Sequence, residues 1–98
     1  MIVRLIIAKV YHDRVEEFVD LVKDRWAPML EEHGGKFLGA FTNTEPASHE
    51  VVGLMRFNDM EHMERVNREL AADERFANLN QKMRPMLQNN EIRILQPA

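Results

Sequence analysis

The opening run Ile2-Val3-Arg4-Leu5-Ile6-Ile7-Ala8 is apolar at every position but one. A strand with one face in water alternates apolar and polar residues, whereas a nearly unbroken apolar run is covered on both faces. A strand from about Ile2 to Val10 is therefore predicted, in a sheet with something packed on each side. The period then changes: Val15, Phe18, Val19, Val22, Trp26, Met29 and Leu30 recur at three- and four-residue steps, the pattern of one buried helix face. Asp13 with Glu16 gives a capping-box-like start to that helix. Pro28 predicts a kink, because it removes a donor and crowds the carbonyl of Asp24. His33-Gly34-Gly35 ends the helix, since glycine accepts left-handed cap geometry. Lys36–Thr42 and Glu50–Phe57 read as an antiparallel strand pair joined by a loop over 43–49. Asn58 with Glu61 opens a second helix carrying Met63, Val66 and Leu70, and Asp73 opens a third, shorter one with Phe76, Leu79 and Met83 on its buried face. Pro85 closes it, Asn89-Asn90 reads as a turn, and Glu91–Gln96 is the last strand.

This order predicts a single α+β domain over residues 1–98, a ferredoxin-like βαββαβ unit with an extra short helix before the last strand. In that topology a four-stranded antiparallel sheet carries helices on one face only. Sorting the strands by parity separates a charge-free set (Val3, Leu5, Ile7, Val51, Met55, Phe57, Ile92, Ile94) from a set with one arginine per strand. The charge-free set is assigned to the helices. The second set holds Arg4, Arg56 and Arg93 among Ile2, Ile6, Ala8, Val52, Leu54 and Leu95, too apolar to face water. It predicts a homodimer through the open sheet face, a dimeric α+β barrel. Buried arginines need anions, so Arg4, Arg56 and Arg93 are read as an interface cluster paired with carboxylates of the partner, such as Glu50 or Glu91, or as a site for an acidic ligand.

Composition narrows the function classes. A chain of 98 residues has a small core, and pairing two copies through an apolar face adds burial at roughly 25 cal/mol per Å². The absence of cysteine removes disulfides, thiolate metal sites and a cysteine nucleophile together. His12 and His49 fall in loops without metal-ligand spacing, and no metal or cofactor is expected. A net charge of −3, with basic residues scattered among acidic ones, gives no footprint for nucleic acid or an anionic membrane. No apolar run approaches the ~20 residues of a membrane span, and the start lacks a signal-type pattern, so a cytoplasmic protein is expected.

The topology serves several chemistries, which the residues discriminate. An RNA-recognition domain stacks bases on strand aromatics, and Ile2–Ala8 and Val51–Arg56 have none. A metal chaperone needs paired cysteines, and an acylphosphatase-like enzyme needs a glycine-rich anion loop where this chain has Tyr11-His12-Asp13. The variant that remains is the dimeric barrel with a pocket between helices and sheet.

The stretches Trp26-Ala27-Pro28-Met29-Leu30-Glu31-Glu32-His33-Gly34-Gly35-Lys36, Glu50-Val51-Val52 with Phe57-Asn58-Asp59, and Ala71-Ala72-Asp73-Glu74-Arg75-Phe76 resemble the NIPSNAP-like branch of the dimeric α+β barrel superfamily. The resemblance spans nearly the whole chain. It implies a homodimer of ferredoxin-like subunits in a family of poorly defined activity, with cofactor-free oxygenases, cyclases and haem-degrading enzymes among its relatives. Departures accompany it. Ile6 and Ala8 stand where the family commonly carries an arginine and a tyrosine, and Gly53 and Met55 where it carries a histidine and a tryptophan, so no catalytic residue is carried over.

The pocket candidates are Tyr11, Trp26, His33, Met55, His62 and Met63. Each has a plainer role beside the functional one. Trp26 lines a cavity or fills the core. His33 acts as a general base or caps the negative end of the helix. His62 reaches the pocket or stays solvated, and Tyr11 binds a carbonyl or borders the mouth. Met55 and Met63, with Met29, Met83 and Met86, form adaptable walls or ordinary core. Two functions follow: a dimeric module binding a small apolar or mildly acidic molecule, or a cofactor-independent monooxygenase, isomerase or cyclase in the same pocket.

Overall fold

A computed structural model of the chain describes residues 1–45 and 48–98; Pro46 and Ala47, within the loop predicted over 43–49, lie outside the described residues. The strands are β1 (Ile2–Val10), β2 (Lys36–Thr42), β3 (Glu50–Phe57) and β4 (Leu87–Leu95). The helices are α1 (Val15–Leu21), α2 (Ala27–Glu32), α3 (Met60–Ala71) and α4 (Glu74–Met83), with a π-helical turn at Val22–Trp26 joining the first two. All strand pairs are antiparallel, in the order β2-β3-β1-β4. The α+β ferredoxin-like architecture is thus as the sequence predicts. No helix of the described residues is long and apolar enough to cross a membrane.

The predicted kink at Pro28 takes a specific form. Proline offers no N–H to the Asp24 carbonyl and crowds it, and the chain widens the preceding turn, so that the Ala27 N–H reaches back to the Val22 carbonyl. The apolar stripe stays in phase through this π turn. At the end of α2, Gly34 takes φ 102°, its N–H donates to Glu31 O at 3.1 Å, and the Gly35 N–H donates to Leu30 O at 3.0 Å, a Schellman cap. A side chain at Gly35 has no room, because a Cβ there would stand 2.8 Å from Leu30 and 3.1 Å from Phe57.

Three local expectations are corrected. Asp13 lies in a 3-10 turn (His12–Arg14), and no side chain caps α1; Arg14 instead pairs with Glu17 at 2.9 Å. The cap of α3 is Asp59, one residue past the predicted Asn58: Asp59 Oδ1 accepts from the His62 N–H at 2.8 Å, while His62 Nδ1 accepts from the Asn58 N–H at 2.9 Å. The histidine at N3 thus reaches back past the cap to the preceding amide, one residue beyond the N–H that a capping-box glutamate would hold. Asn89 and Asn90 do not turn; they pair with Lys9 and Ala8, because the chain already reverses at Pro85 and β4 begins at Leu87.

The largest correction concerns the sheet faces. Residues opposite each other in an antiparallel pair share a face, and the register sets Ile2 against Phe57, Arg4 against Met55, Ile6 against Gly53 and Ala8 against Val51. Ile2, Arg4, Ala8 and Val10 are buried under the helices with Val51, Met55 and Phe57. Val3, Leu5 and Ile7 lie on the open face, opposite Arg56, Leu54 and Val52. The predicted faces of β3 hold and those of β1 are reversed. Ile92 and Ile94 sit on the helix side, opposite Ile6 and Arg4, yet are 53% and 47% exposed, so the helices leave the β4 edge uncovered.

Two apolar clusters make up the core. One gathers Ala8, Val10, Phe18, Val22, Val51, Leu79, Met83 and Met86; the other gathers Ile2, Leu30, Met55, Phe57, Met63, Val66 and Leu70. Trp26, Met29 and Phe37 pack against both.

Candidate functional site

A cavity of about 270 Å³ opens beside Trp26, between the helix layer and the sheet. Phe18, Val22 and Trp26 come from the first helical segment, Ile6 and Ala8 from β1, Val51, Gly53 and Met55 from β3, and Met83 from α4. The π turn ends at Trp26, whose ring sits 6.3 Å from Phe37 and 6.5 Å from Phe76 between ring centroids. The indole is thereby fixed as a wall. One side is polar: Asn80, Arg84 and Asn90. Arg84 makes no ion pair among the described residues. Gly53 matters by what it lacks, since its missing side chain leaves open the space between Ile6 and Met55.

Of the predicted pocket residues, the structure brings Trp26 and Met55 to this cavity and places the other four elsewhere. Tyr11 is 47% exposed just past β1, its N–H held by Met86 O at 3.0 Å. Met63 is buried in the second cluster. His62 is spent on the α3 cap and packs edge-on to Phe57. His12 and His49, distant in sequence, have ring centroids 5.6 Å apart. The polar wall escaped the sequence reading, although Asn80 follows Phe76 by four residues and precedes Met83 by three. That spacing is the flank of the buried stripe.

His33 belongs to an ionic tie at the junction of α2, α3 and α4. Its Nδ1 lies 3.2 Å from Glu69 and its Nε2 3.0 Å from Asp73, whose carboxylate is also held by Arg75 at 2.8 Å; Arg75 in turn reaches Glu32 at 2.9 Å, and Arg65 stands 3.8 Å from Glu69. Hydrogen bonds to Asp73 and then Glu69 raise the His33 pKa above its ordinary value. Arg75 foremost, then His33, holds the Asp73 carboxyl well below the usual carboxylate range. A raised histidine stabilises the fold fully below the unfolded value of about 6.5, and this is lost as pH rises through the folded value. A depressed carboxyl contributes above about 3.9 and loses its effect as pH falls through the folded value. The wild-type urea midpoint is therefore expected to decline from mildly acidic to alkaline pH, and His33→Gln to flatten that decline. An equally steep decline in H33Q would remove His33 as its cause.

The predicted three-arginine cluster is split across the sheet. Arg56 and Arg93 lie on the open face, and Arg93 pairs with Glu91 of its own strand at 2.9 Å. Arg4 lies on the helix side, 8% exposed. Its Nε donates to Met55 Sδ at 3.3 Å, its Nη1 donates to Asn67 Oδ1 at 2.7 Å, and the guanidinium stands 5.0 Å from the Phe57 ring centroid. Burial lowers its pKa.

A one-sided helix layer over a four-stranded antiparallel sheet, with a half-open apolar cavity between them, defines a ferredoxin-like α+β domain with a pocket of small-molecule size. The NIPSNAP family profile matches residues 4–98, and the chain belongs to the NIPSNAP family. Among solved structures it is similar to an uncharacterized NIPSNAP domain protein from Burkholderia xenovorans (22% identity, TM-score 0.89, covering 100% of this chain and 95% of that one). A NIPSNAP family protein from Agrobacterium tumefaciens is also similar (20% identity, TM-score 0.88, covering 99% and 92%). An antibiotic biosynthesis monooxygenase shares the fold at 12% identity (TM-score 0.73, covering 100% and 99%). At such identities these likenesses speak to fold alone. No curated protein matches the chain.

Proposed function

We propose that this NIPSNAP-family protein is a homodimeric binding module that holds a small apolar or mildly acidic molecule in the cavity beside Trp26. The carrying observation is the cavity itself: about 270 Å³, walled by Phe18, Val22, Trp26, Met55 and Met83, with Asn80, Arg84 and Asn90 on one side. Apolar walls with a few convergent polar groups are the usual composition of a ligand site, and the volume lies just under the roughly 300–1,000 Å³ of such pockets, which favours a small occupant. Dimerisation is supported by the open face, where Val3, Leu5, Ile7, Val52 and Leu54 form a continuous apolar surface with no helix over it. A cofactor-independent enzyme would need a proton-transfer group at the cavity. His33 and His62 are both engaged away from its walls, and the polar groups lining it are amides and a guanidinium, which orient a ligand better than they move a proton.

Native mass spectrometry of freshly purified protein tests this. The expected result is a species of twice the chain mass carrying a small-molecule adduct that is released on denaturation. A species without adduct, combined with no change in Trp26 fluorescence on titration with short-chain alcohols and acids, would remove the binding reading.

A further inference from the structure

Arg4 is a buried cation without an anion. No carboxylate of the described residues lies within ion-pair distance of it, and its polar contacts are a neutral amide and a thioether. A thioether is a weak acceptor for a charged donor, so Nε is poorly compensated, and Nη2, which has no protein partner among the described residues, keeps its only polar contact at the edge of solvent. The contact with the Phe57 ring offsets part of that cost, in the way cations rest on aromatic faces. A dimer packed on the open face cannot supply the anion, because Arg4 projects to the opposite side of the sheet. The one neighbour of Arg4 that is both in the cavity wall and conformationally soft is Met55; Ile6, two residues along β1, lines the same cavity.

We infer that Arg4 is the anchor for a carboxylate group of the cavity's ligand, reached when the Met55 thioether swings off the guanidinium. This rests on the cavity being a ligand site and adds the chemical class: an apolar body with one acidic head. The head binds Arg4 in preference to Arg84, because Arg84 is exposed and an ion pair in water contributes little, whereas a carboxylate meeting a buried guanidinium replaces a poor acceptor with a charged, bidentate one. Asn67 stays on Nη1, leaving Nε and Nη2 free to form the fork.

The test uses the full-length protein and three probes of equal chain length, octanoate, 1-octanol and octylammonium, read by the fluorescence of Trp26 in the cavity wall. Octanoate is expected to bind about tenfold or more tighter than octanol, and octylammonium weakest, since a charge-assisted hydrogen bond is roughly twice as strong as a neutral one and a cationic head is repelled by the guanidinium. Arg4→Met should abolish the preference of octanoate over octanol, and Arg84→Met should keep it. Equal binding of octanoate and octanol by the wild type, or loss of the preference in R84M and not in R4M, overturns the assignment to Arg4 while leaving the cavity a ligand site. If none of the three probes binds, the cavity reading and the anchor both fall. The wild-type comparison stands by itself should R4M not fold.

Discussion

Leu54→Lys is expected to dissociate the proposed dimer while each domain stays folded. Leu54 sits in β3 opposite Leu5 on the open face, with Val52 beside it, and is only half-buried in the single chain, so an isolated domain tolerates a polar group there. In a dimer closed through that face the same position is central. Two-fold symmetry places the substitution twice in one apolar interface; Lys9, Lys36, Arg56 and Arg93 on that face add like charge, while its carboxylates are already engaged, Glu91 by Arg93 at 2.9 Å and Glu50 by Asn43 at 3.0 Å. Leaving an unpaired charge in a dry interface costs several kcal/mol per copy, so the dissociation constant should rise by a factor on the order of 10³ or more. Sedimentation over a concentration series reads the effect directly, with far-UV circular dichroism reporting on the fold. Glu61→Lys, on the solvent side of α3, is the matched control and should leave association unchanged. A wild type that sediments as a monomer at every concentration, or an L54K dimer of undiminished affinity, would show that the open face has another use.

The sheet faces and the cavity were legible to different degrees, for a shared reason. Element order and type could be read because hydrophobic periods and caps are local: Asp73 caps α4, the two glycines after His33 build a Schellman turn, and β2 and β3 begin and end where their composition predicts. The facing of β1 could not be read, because both its parity sets are apolar and only cross-strand pairing decides between them. Assuming that the charge-free set faces the core then reversed the strand, since Arg4 is the residue that goes inside, against Asn67, Met55 and Phe57 from α3 and β3. Such partners are remote in sequence. The same holds for the histidines: His33 and His62 lie on helix faces that suggest a pocket, but Glu69 and Asp73 capture the first and the Asn58 backbone the second. Gly53 was the exception. Its small size was visible in the sequence as a missing histidine, and in the fold that vacancy becomes part of the cavity.

Filling that vacancy with a large side chain should weaken ligand binding strongly while leaving the domain folded. Gly53 faces the helices, opposite Ile6 on one side and Ala40 on the other, and its backbone is not in the left-handed region. An added Cβ would meet only Met55 Cε, at 3.7 Å, an ordinary contact. Gly53→Ala is therefore expected to keep octanoate affinity within a few fold and, by favouring the strand, to hold or raise the melting temperature. Gly53→Phe drives a ring into the cavity and should weaken octanoate by about a hundredfold, equivalent to ~2.7 kcal/mol. Overpacking against Met55 should cost about 1–3 kcal/mol of stability. G53F binding octanoate like the wild type would place the ligand elsewhere. Because the cavity walls named above lie on the helix side of the sheet, whereas Leu54 faces the other side, the two functions should separate: G53F remains dimeric and loses the ligand, and L54K keeps the ligand as a monomer. If L54K also lost octanoate, the cavity would depend on the partner subunit, and the dimer would be part of the binding site and not only its support.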